Sequence, residues 1–503
     1  MTSSGVRVSG TPVIEQDQLI STSPATGEEV ARLPVAGPEQ VAEAVAAARE
    51  AATWWRELGF TGRRRRLLAW RATLVRRLDE LTLLMHREGG KPLADALVES
   101  AGAIDHIAWA AKHARKVLGI RRVGGTLLQS EYTAHLEYQP YGVVGVIGPW
   151  NYPVLTPVGS LAYALAAGNT VVFKPSEYTP GVGQFLADTF AQAVPEHPVF
   201  GIVHGLGDTG AELVSSGVDK IAFTGSTRTG KRVLAAAAET LTPVLLECGG
   251  KDALIVTADA DLDAAAEAAV WGAMMNAGQT CVGIERIYVV EPVYEAFLAK
   301  LTERAGALKV GAEPEADIGP MTMPGQIDVV RRHIDAALAD GGRAVLGGAD
   351  AVRPPFVHPT VLVDVPETSA AVCEETFGPT VTVASVADVR EAVAKANALP
   401  YGLGGAVFGK SDAMAVARQL KSGMTSINST ISFAGIPSLP FGGVGDSGFG
   451  RIHGADGLRE FARPKAIAKR WMPSVVKVLT FDRKPRDARL TRLALRLLHG
   501  RRS

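Results

Sequence analysis

Apolar and polar positions along this chain fall into distinct regimes. From Pro38 to about Gly119 they recur with helical spacing. The run 38–58 opens with proline at a first helical turn and is rich in alanine, and a second helical run passes from Arg63 through residue 85. From Arg121 to Gln139 the sequence turns polar and β-prone, with Gly124 and Gly125 placed for a hairpin. Short apolar runs then alternate with amphipathic ones. Strands are expected at 141–150, 169–177, 200–205 and 219–225. Helices are expected at 156–168 and 182–194, with a short one between the last two strands. This rhythm predicts a parallel sheet covered by helices on both faces. A second α/β region begins near Cys248, with strands at 252–258 and 286–291 and helices at 262–278 and 293–308. Further strand and helix signals run to about Val444.

Length agrees with that division. The 503 residues correspond, at ~150 per domain, to two large lobes and a smaller element. A content of 47% hydrophobic and 21% charged residues excludes a disordered chain. Lys+Arg and Asp+Glu both total 52, so the net charge is zero and no nucleic-acid partner is expected. The consecutive arginines Arg63 to Arg66 read as a solvated helix face. Three cysteines are too few for a disulfide framework. They point to a reducing compartment and leave room for a reactive thiol. The N-terminal residues carry no apolar core of a signal sequence, and no run of ~18 apolar residues is present, so a cytoplasmic protein is expected. No metal site is expected.

The cysteines introduce the chemistry. Cys281, in NAGQTCVG, lies between a helix and a strand among small residues that leave its thiol accessible. Cys248 ends an apolar strand, and Cys373 lies beside two acids that disfavour a thiolate. Local sequence ranks Cys281 first without excluding the reading of each as a small buried hydrophobe. Glu247 ends the apolar run TPVLLE before Gly249 and Gly250. It reads equally as a general base with a raised pKa or as the partner of Lys251. Two segments fit a phosphate cradle. Gly205, Gly207 and Gly210 match Gly-x-Gly-x-x-Gly between a strand and a helix, and Gly225, Ser226 and Gly230 follow another strand at a helix start.

Seven segments, in order and spacing, resemble the aldehyde dehydrogenase superfamily: GPWNYP from Gly148, VVFKPSEYTP, FTGSTRTG, LLECGGK, AGQTCVG, EETFGP and PFGGVGDSGFGR from Pro440. The resemblance covers about residues 20–465. It implies an α/β fold with two parallel-sheet lobes and a small β flap for oligomerisation. On this reading residues 1–120 and 140–247 bind the dinucleotide, 248–461 carry catalysis, and 121–139 with about 462–480 form the flap. It implies Cys281 as nucleophile, Glu247 as general base, and Asn151 as an oxyanion donor together with the Cys281 N–H, each donor contributing about 3 kcal/mol. Cofactor contacts carry over to Trp150, Lys174, Ser176, Glu177, Gly225, Ser226, Glu375 and Phe377. The Gly205–Gly210 match becomes a decoy. Glu177 at the adenosine ribose favours NAD, with NADP as the alternative. A base at Glu247 implies a free acid product rather than a coenzyme A thioester.

The departures are Cys248, where the family has leucine, and Asp252, where it has asparagine. The implied aldehyde channel is lined by Tyr152, Leu155, Thr156, Gly159, Phe433 and Ile436. Gly159 stands where many members carry a bulky aromatic, which predicts a roomy channel. These linings suit apolar aliphatic or aromatic aldehydes. The string also resembles bacterial succinate-semialdehyde dehydrogenases, which keeps that substrate as the alternative. A non-catalytic protein on this fold is the remote one. The family implies a homodimer or homotetramer.

Residues 481–503 form a separate basic element. Leu490, Leu493, Ala494, Leu497 and Leu498 follow helical spacing, with Arg489, Arg492 and Arg496 toward the other face. Such a helix packs against the protein's own subunits or lies on an anionic membrane surface.

Overall fold

The computed structural model describes residues 10–126, 129–474 and 476–500. Two parallel sheets position everything that follows. The first has six strands in the order Gly448–Phe449, Val244–Glu247, Lys220–Thr224, Val143–Ile147, Thr170–Lys174 and Phe200–Ile202. All are parallel except the edge strand Gly448–Phe449. The strands at 143–147, 170–174, 220–224 and 244–247 are almost continuously buried, as expected where helices cover both faces. The second sheet has seven strands, ordered Arg343–Leu346, Thr360–Val363, Thr380–Val386, Ile284–Val290, Asp252–Val256, Gly405–Phe408 and Ser426–Ile427. Only Arg343–Leu346 runs antiparallel.

The chain passes from one sheet to the other through Gly249 and Gly250, between Glu247 and Asp252. A side chain at 249 would collide with the Glu375 carboxylate, and a Cβ at 250 would lie 2.7 Å from the Cys281 carbonyl oxygen. Bare backbone is therefore required where the sheets meet.

The helical start resolves into Pro38–Glu57, Gly59–Arg76, Leu78–Gly89 and Leu93–Leu118. The polar excursion forms strands Arg121–Val123 and Tyr132–Pro140, and the second pairs along its length with Ala462–Arg470. The flap strand ends at Arg470. The terminal helix spans Pro485–His499, starting four residues later than expected, with proline in its first turn. Its Leu490, Leu493, Leu497 and Leu498 are exposed. No helix among the described residues is long and apolar enough to cross a membrane.

Three sequence expectations need correction. Arg63 is not on a solvated face but 4% exposed. Its guanidinium donates to the Arg56 carbonyl at 3.1 Å and the Ala166 carbonyl at 3.3 Å, which terminate two helices. A cation there satisfies carbonyls left free at helix ends and complements the helix dipole. Second, the helix expected to reach Gly278 stops at Met274, and Asn276, Ala277 and Gly278 all take positive φ. Third, the space above Gly159 is filled. A Cβ at that position would lie 2.7 Å from His453 Nε2 and from Ile452 Cδ1.

A three-stranded antiparallel sheet, Val13–Glu15, Gln18–Thr22 and Glu29–Pro34, lies outside the sequence expectations altogether. Its first turn places Gln16 and Asp17 at φ 49° and 59°. Both residues of a two-residue hairpin turn take positive φ in the type I′ geometry that suits strand twist.

Candidate active site

The first sheet brings four expected segments to one edge. Trp150 and Asn151 follow strand 143–147, Lys174 to Glu177 follow 170–174, Gly225 and Ser226 follow 220–224, and Glu247 ends 244–247. Strand order reverses between 143–147 and 220–224, because the next strands in sequence after 143–147 lie on its other side. In open α/β sheets the crevice at the carboxyl end of such a reversal is where ligands bind.

Cys281 reaches this edge from the second sheet, just before strand Ile284–Val290. The left-handed turn Asn276–Gly278 delivers it. A side chain at Gly278 would collide with the Gly378 carbonyl. Polar side chains fix the turn from both sides. Asp95 accepts the Asn276 N–H at 2.8 Å, and the Gln279 side-chain oxygen accepts the Thr322 N–H at 2.8 Å. The Asn151 amide donates to the Gln279 carbonyl at 2.9 Å, and the Tyr152 and Thr280 hydroxyls bond at 2.9 Å. Buried Lys91 pairs with Glu99 and donates to the Asn151 carbonyl at 2.8 Å. Glu99 in turn accepts the N–H groups of Val154 and Leu155, satisfying the start of the next helix.

Cys281 is half-buried. Burial first, then the charges of Glu247, Glu375 and Asp252, push its thiol well up. Glu247 is 3% exposed. Its Oε2 accepts from the Thr224 hydroxyl at 3.3 Å, and its Oε1 has no partner among the described residues. Burial pushes its carboxyl up to about 8. The pairing with Lys251 does not occur: Lys251 forms a buried ion pair with Glu285.

That ion pair organises a further loop. Glu285 accepts the N–H groups of Thr376 and Phe377, and Lys251 donates to the Thr376 hydroxyl at 3.0 Å. Phe377 is thereby held at φ 53°, its ring edge-on to Trp150 with centroids 5.5 Å apart. Glu375 accepts the Gly250 N–H at 2.9 Å, and burial pushes its carboxyl up to about 8. Sequence reading missed Lys91, Asp95, Glu99, Asn276, Gln279, Lys251 and Glu285 as site supports. A signal existed in Lys91, Asp95 and Glu99, charges four residues apart leading into the largely apolar helix Leu93–Leu118.

The other cysteines are elsewhere. Cys248 is a buried core residue, packed so that a Cβ on Gly230 would lie 2.9 Å from its sulfur. Cys373 donates its S–H to the Glu367 carbonyl. The Gly205–Gly210 segment follows Phe200–Ile202, the edge strand away from the strand reversal. Its close packing serves Thr209, whose hydroxyl donates to the Ala36 carbonyl at 3.0 Å.

A model of the aldehyde dehydrogenase family matches residues 13–467. The chain belongs to that family. It is 40% identical over 451 residues to a 4,4'-diapolycopene aldehyde oxidase from a Methylomonas species, covering 89% of this chain and 84% of that one. It is 36% identical to a putative succinate-semialdehyde dehydrogenase [NADP(+)] 2 from Mycobacterium ulcerans, covering 88% and 87%. Among solved structures, PnpE in complex with nicotinamide adenine dinucleotide matches with a TM-score of 0.86 at 32% identity, covering 92% of this chain and 96% of that one. The fold class expected from sequence is thus established, as is the oxidoreductase class. The family match ends before the helix Pro485–His499.

The crevice of this aldehyde dehydrogenase fits a nicotinamide dinucleotide. Lys174 is 4% exposed and its ammonium lies 3.4 Å from the half-exposed Glu177 carboxylate, a donor and an acceptor suited to ribose hydroxyls. Ser176 orders the same turn, its hydroxyl accepting the Tyr178 N–H at 3.3 Å. Ser226 caps helix Thr227–Ala238 by accepting the Thr229 N–H, and the helix N-terminus beside it suits a pyrophosphate. Gly225 packs against the Phe223 ring, where a Cβ would come within 2.7 Å.

Proposed function

We propose that this enzyme oxidises apolar aliphatic or aromatic aldehydes to free carboxylic acids with NAD, using Cys281 as nucleophile and Glu247 as base. The observation that carries the reading is Glu247: a buried carboxylate with one unpartnered oxygen, close enough to Cys281 for its charge to act on the thiol. A carboxyl brought near neutral pH by burial is suited to move protons in both halves of the reaction.

In the first half Glu247 takes the thiol proton, and the sulfur bonds to the aldehyde carbon as the carbonyl electron pair moves to oxygen. The Cys281 N–H, which carries no hydrogen bond to any described residue, and the Asn151 amide donate to that oxyanion. Lys174, Ser176, Glu177, Gly225, Ser226, Glu375, Trp150 and Phe377 would hold a nicotinamide dinucleotide, which when bound would supply the hydride acceptor. Loss of hydride leaves the acyl group on Cys281. Glu247 then releases the thiol proton to solvent, and in the second half it takes a proton from water, the hydroxide oxygen bonds to the acyl carbon, and the Cys281 thiolate leaves.

Tyr152, Leu155, Thr156, Phe433 and Ile436 favour an apolar substrate. The likeness to the Mycobacterium ulcerans relative favours a semialdehyde as the second reading. NADH formation across aliphatic aldehydes of increasing length, aromatic aldehydes and succinic semialdehyde decides between them. Rates confined to succinic semialdehyde would reject the apolar reading, and requirement for coenzyme A would reject hydrolysis. For the cofactor, kcat/KM with NAD is expected to exceed that with NADP, because Glu177 repels a 2′-phosphate. Glu177→Gln is expected to narrow the ratio, and a parent ratio favouring NADP counts against this role. We assign the paired strands Tyr132–Pro140 and Ala462–Arg470 to subunit contact in a homodimer or homotetramer, and the exposed leucines of Pro485–His499 to packing against another subunit.

A further inference from the structure

His453 follows the bridge between Phe441 and Ile452 with φ 61° and ψ 165°. That region is nearly closed to any residue bearing a Cβ. Its side chain is 2% exposed, and neither ring nitrogen has a hydrogen-bond partner among the described residues. Strain and an unsatisfied buried ring are both unfavourable, so their persistence at one residue directs attention to function. The ring stacks on His106 with centroids 3.6 Å apart and lies 5.5 Å from Phe441 and 5.8 Å from Tyr163. It also faces Gly159, where a Cβ would lie 2.7 Å from Nε2.

Gly159 stands one helical turn, about 6 Å, beyond Leu155. Both belong to the helix that follows Tyr152, whose hydroxyl bonds Thr280 next to Cys281. The loop 429–440 lies against the same region. His106 Nε2 donates to the Ala434 carbonyl at 3.0 Å, and the Tyr163 hydroxyl donates to the Pro437 carbonyl at 3.3 Å. His106, Tyr163 and His453 thus form the seam between helix, loop and the turn at 451–454.

We propose that His453 is a specificity-determining residue: its imidazole fills the volume left by the missing side chain at Gly159 and limits the girth of the aldehyde admitted at that depth. Unbranched chains pass, whereas a ring or branch at that distance from the nucleophile is excluded. Histidine suits the post because its flat ring stacks on His106. The inference rests on the proposed route of the aldehyde between this helix and this loop.

His453→Gly tests it, since glycine adopts φ 61° without strain. The substitution leaves a recess bounded by Gly159, His106, Tyr163, Phe441 and Ile452. NADH formation is measured with straight-chain aldehydes and with ω-phenyl aldehydes of matched length. The ratio of kcat/KM for ω-phenyl over straight-chain substrates is expected to rise at least tenfold, through KM. For a short straight-chain aldehyde kcat is expected to stay within twofold. Adding Gly159→Ala to His453→Gly is expected to return the ratio toward the parent value. Should His453→Gly fail to fold, His453→Asn, which has a smaller side chain on the same backbone as the parent, carries the same comparison. An unchanged ratio in a folded variant overturns the proposal. A parent enzyme silent on every aldehyde overturns the underlying functional reading instead.

Discussion

Cys281→Ala is expected to lower aldehyde oxidation on the order of 10⁴-fold or more, the scale seen when a nucleophile that acts as part of a unit is removed. The fold should survive. The thiol is half-buried, and the turn that presents it is held by Asp95, Gln279 and Thr322 rather than by sulfur contacts. The variant should therefore keep its thermal midpoint and its affinity for the dinucleotide while losing turnover. Steady NADH formation from the alanine variant, at even one-hundredth of the parent rate, would remove Cys281 from the role assigned to it.

Glu247→Gln is expected to slow both halves of the reaction. Hydrolysis needs a base, and general bases contribute about 10²–10⁴-fold. Turnover should fall by at least that factor, and no initial burst of NADH should appear, because the thiol loses its base as well. The pH dependence follows from burial. With its carboxyl pushed up to about 8, Glu247 is protonated at lower pH and accepts no proton. The parent rate should rise as pH increases through that value, and the glutamine variant should lose the inflection. A parent profile flat from pH 6 to pH 9 would contradict this assignment.

The fold and the site were legible in the sequence to different depths. The buried strands around 143–147, 170–174 and 220–224 announce themselves because both faces are covered and their apolar runs are uninterrupted. The hairpin 13–22 does not: its strands are short and of mixed burial, and its turn uses Gln16 and Asp17 instead of glycine. Local reading ranked Cys281 first but left Glu247 divided between base and ion pair. The ion-pair alternative fell to Glu285, 34 residues beyond Lys251 and on a neighbouring strand, which takes that lysine. Arg63 failed for a related reason. Its acceptors are carbonyls at two helix ends, and a run of four arginines hides the one that turns inward. Gly159 suggested open space because a glycine shows what a position lacks, not which neighbour occupies it.

Burial favours the S–H form of Cys281, with a practical corollary. Peroxide and alkylating agents react with thiolates far faster than with thiols. A sulfur kept as S–H by burial and three acids is shielded from chance oxidation between catalytic cycles. On the proposed mechanism the fold separates durability from reactivity: the sulfur is inert as S–H and becomes nucleophilic when Glu247 removes its proton. Electrophilic inhibitors directed at it would succeed by recruiting that proton transfer rather than by intrinsic reactivity.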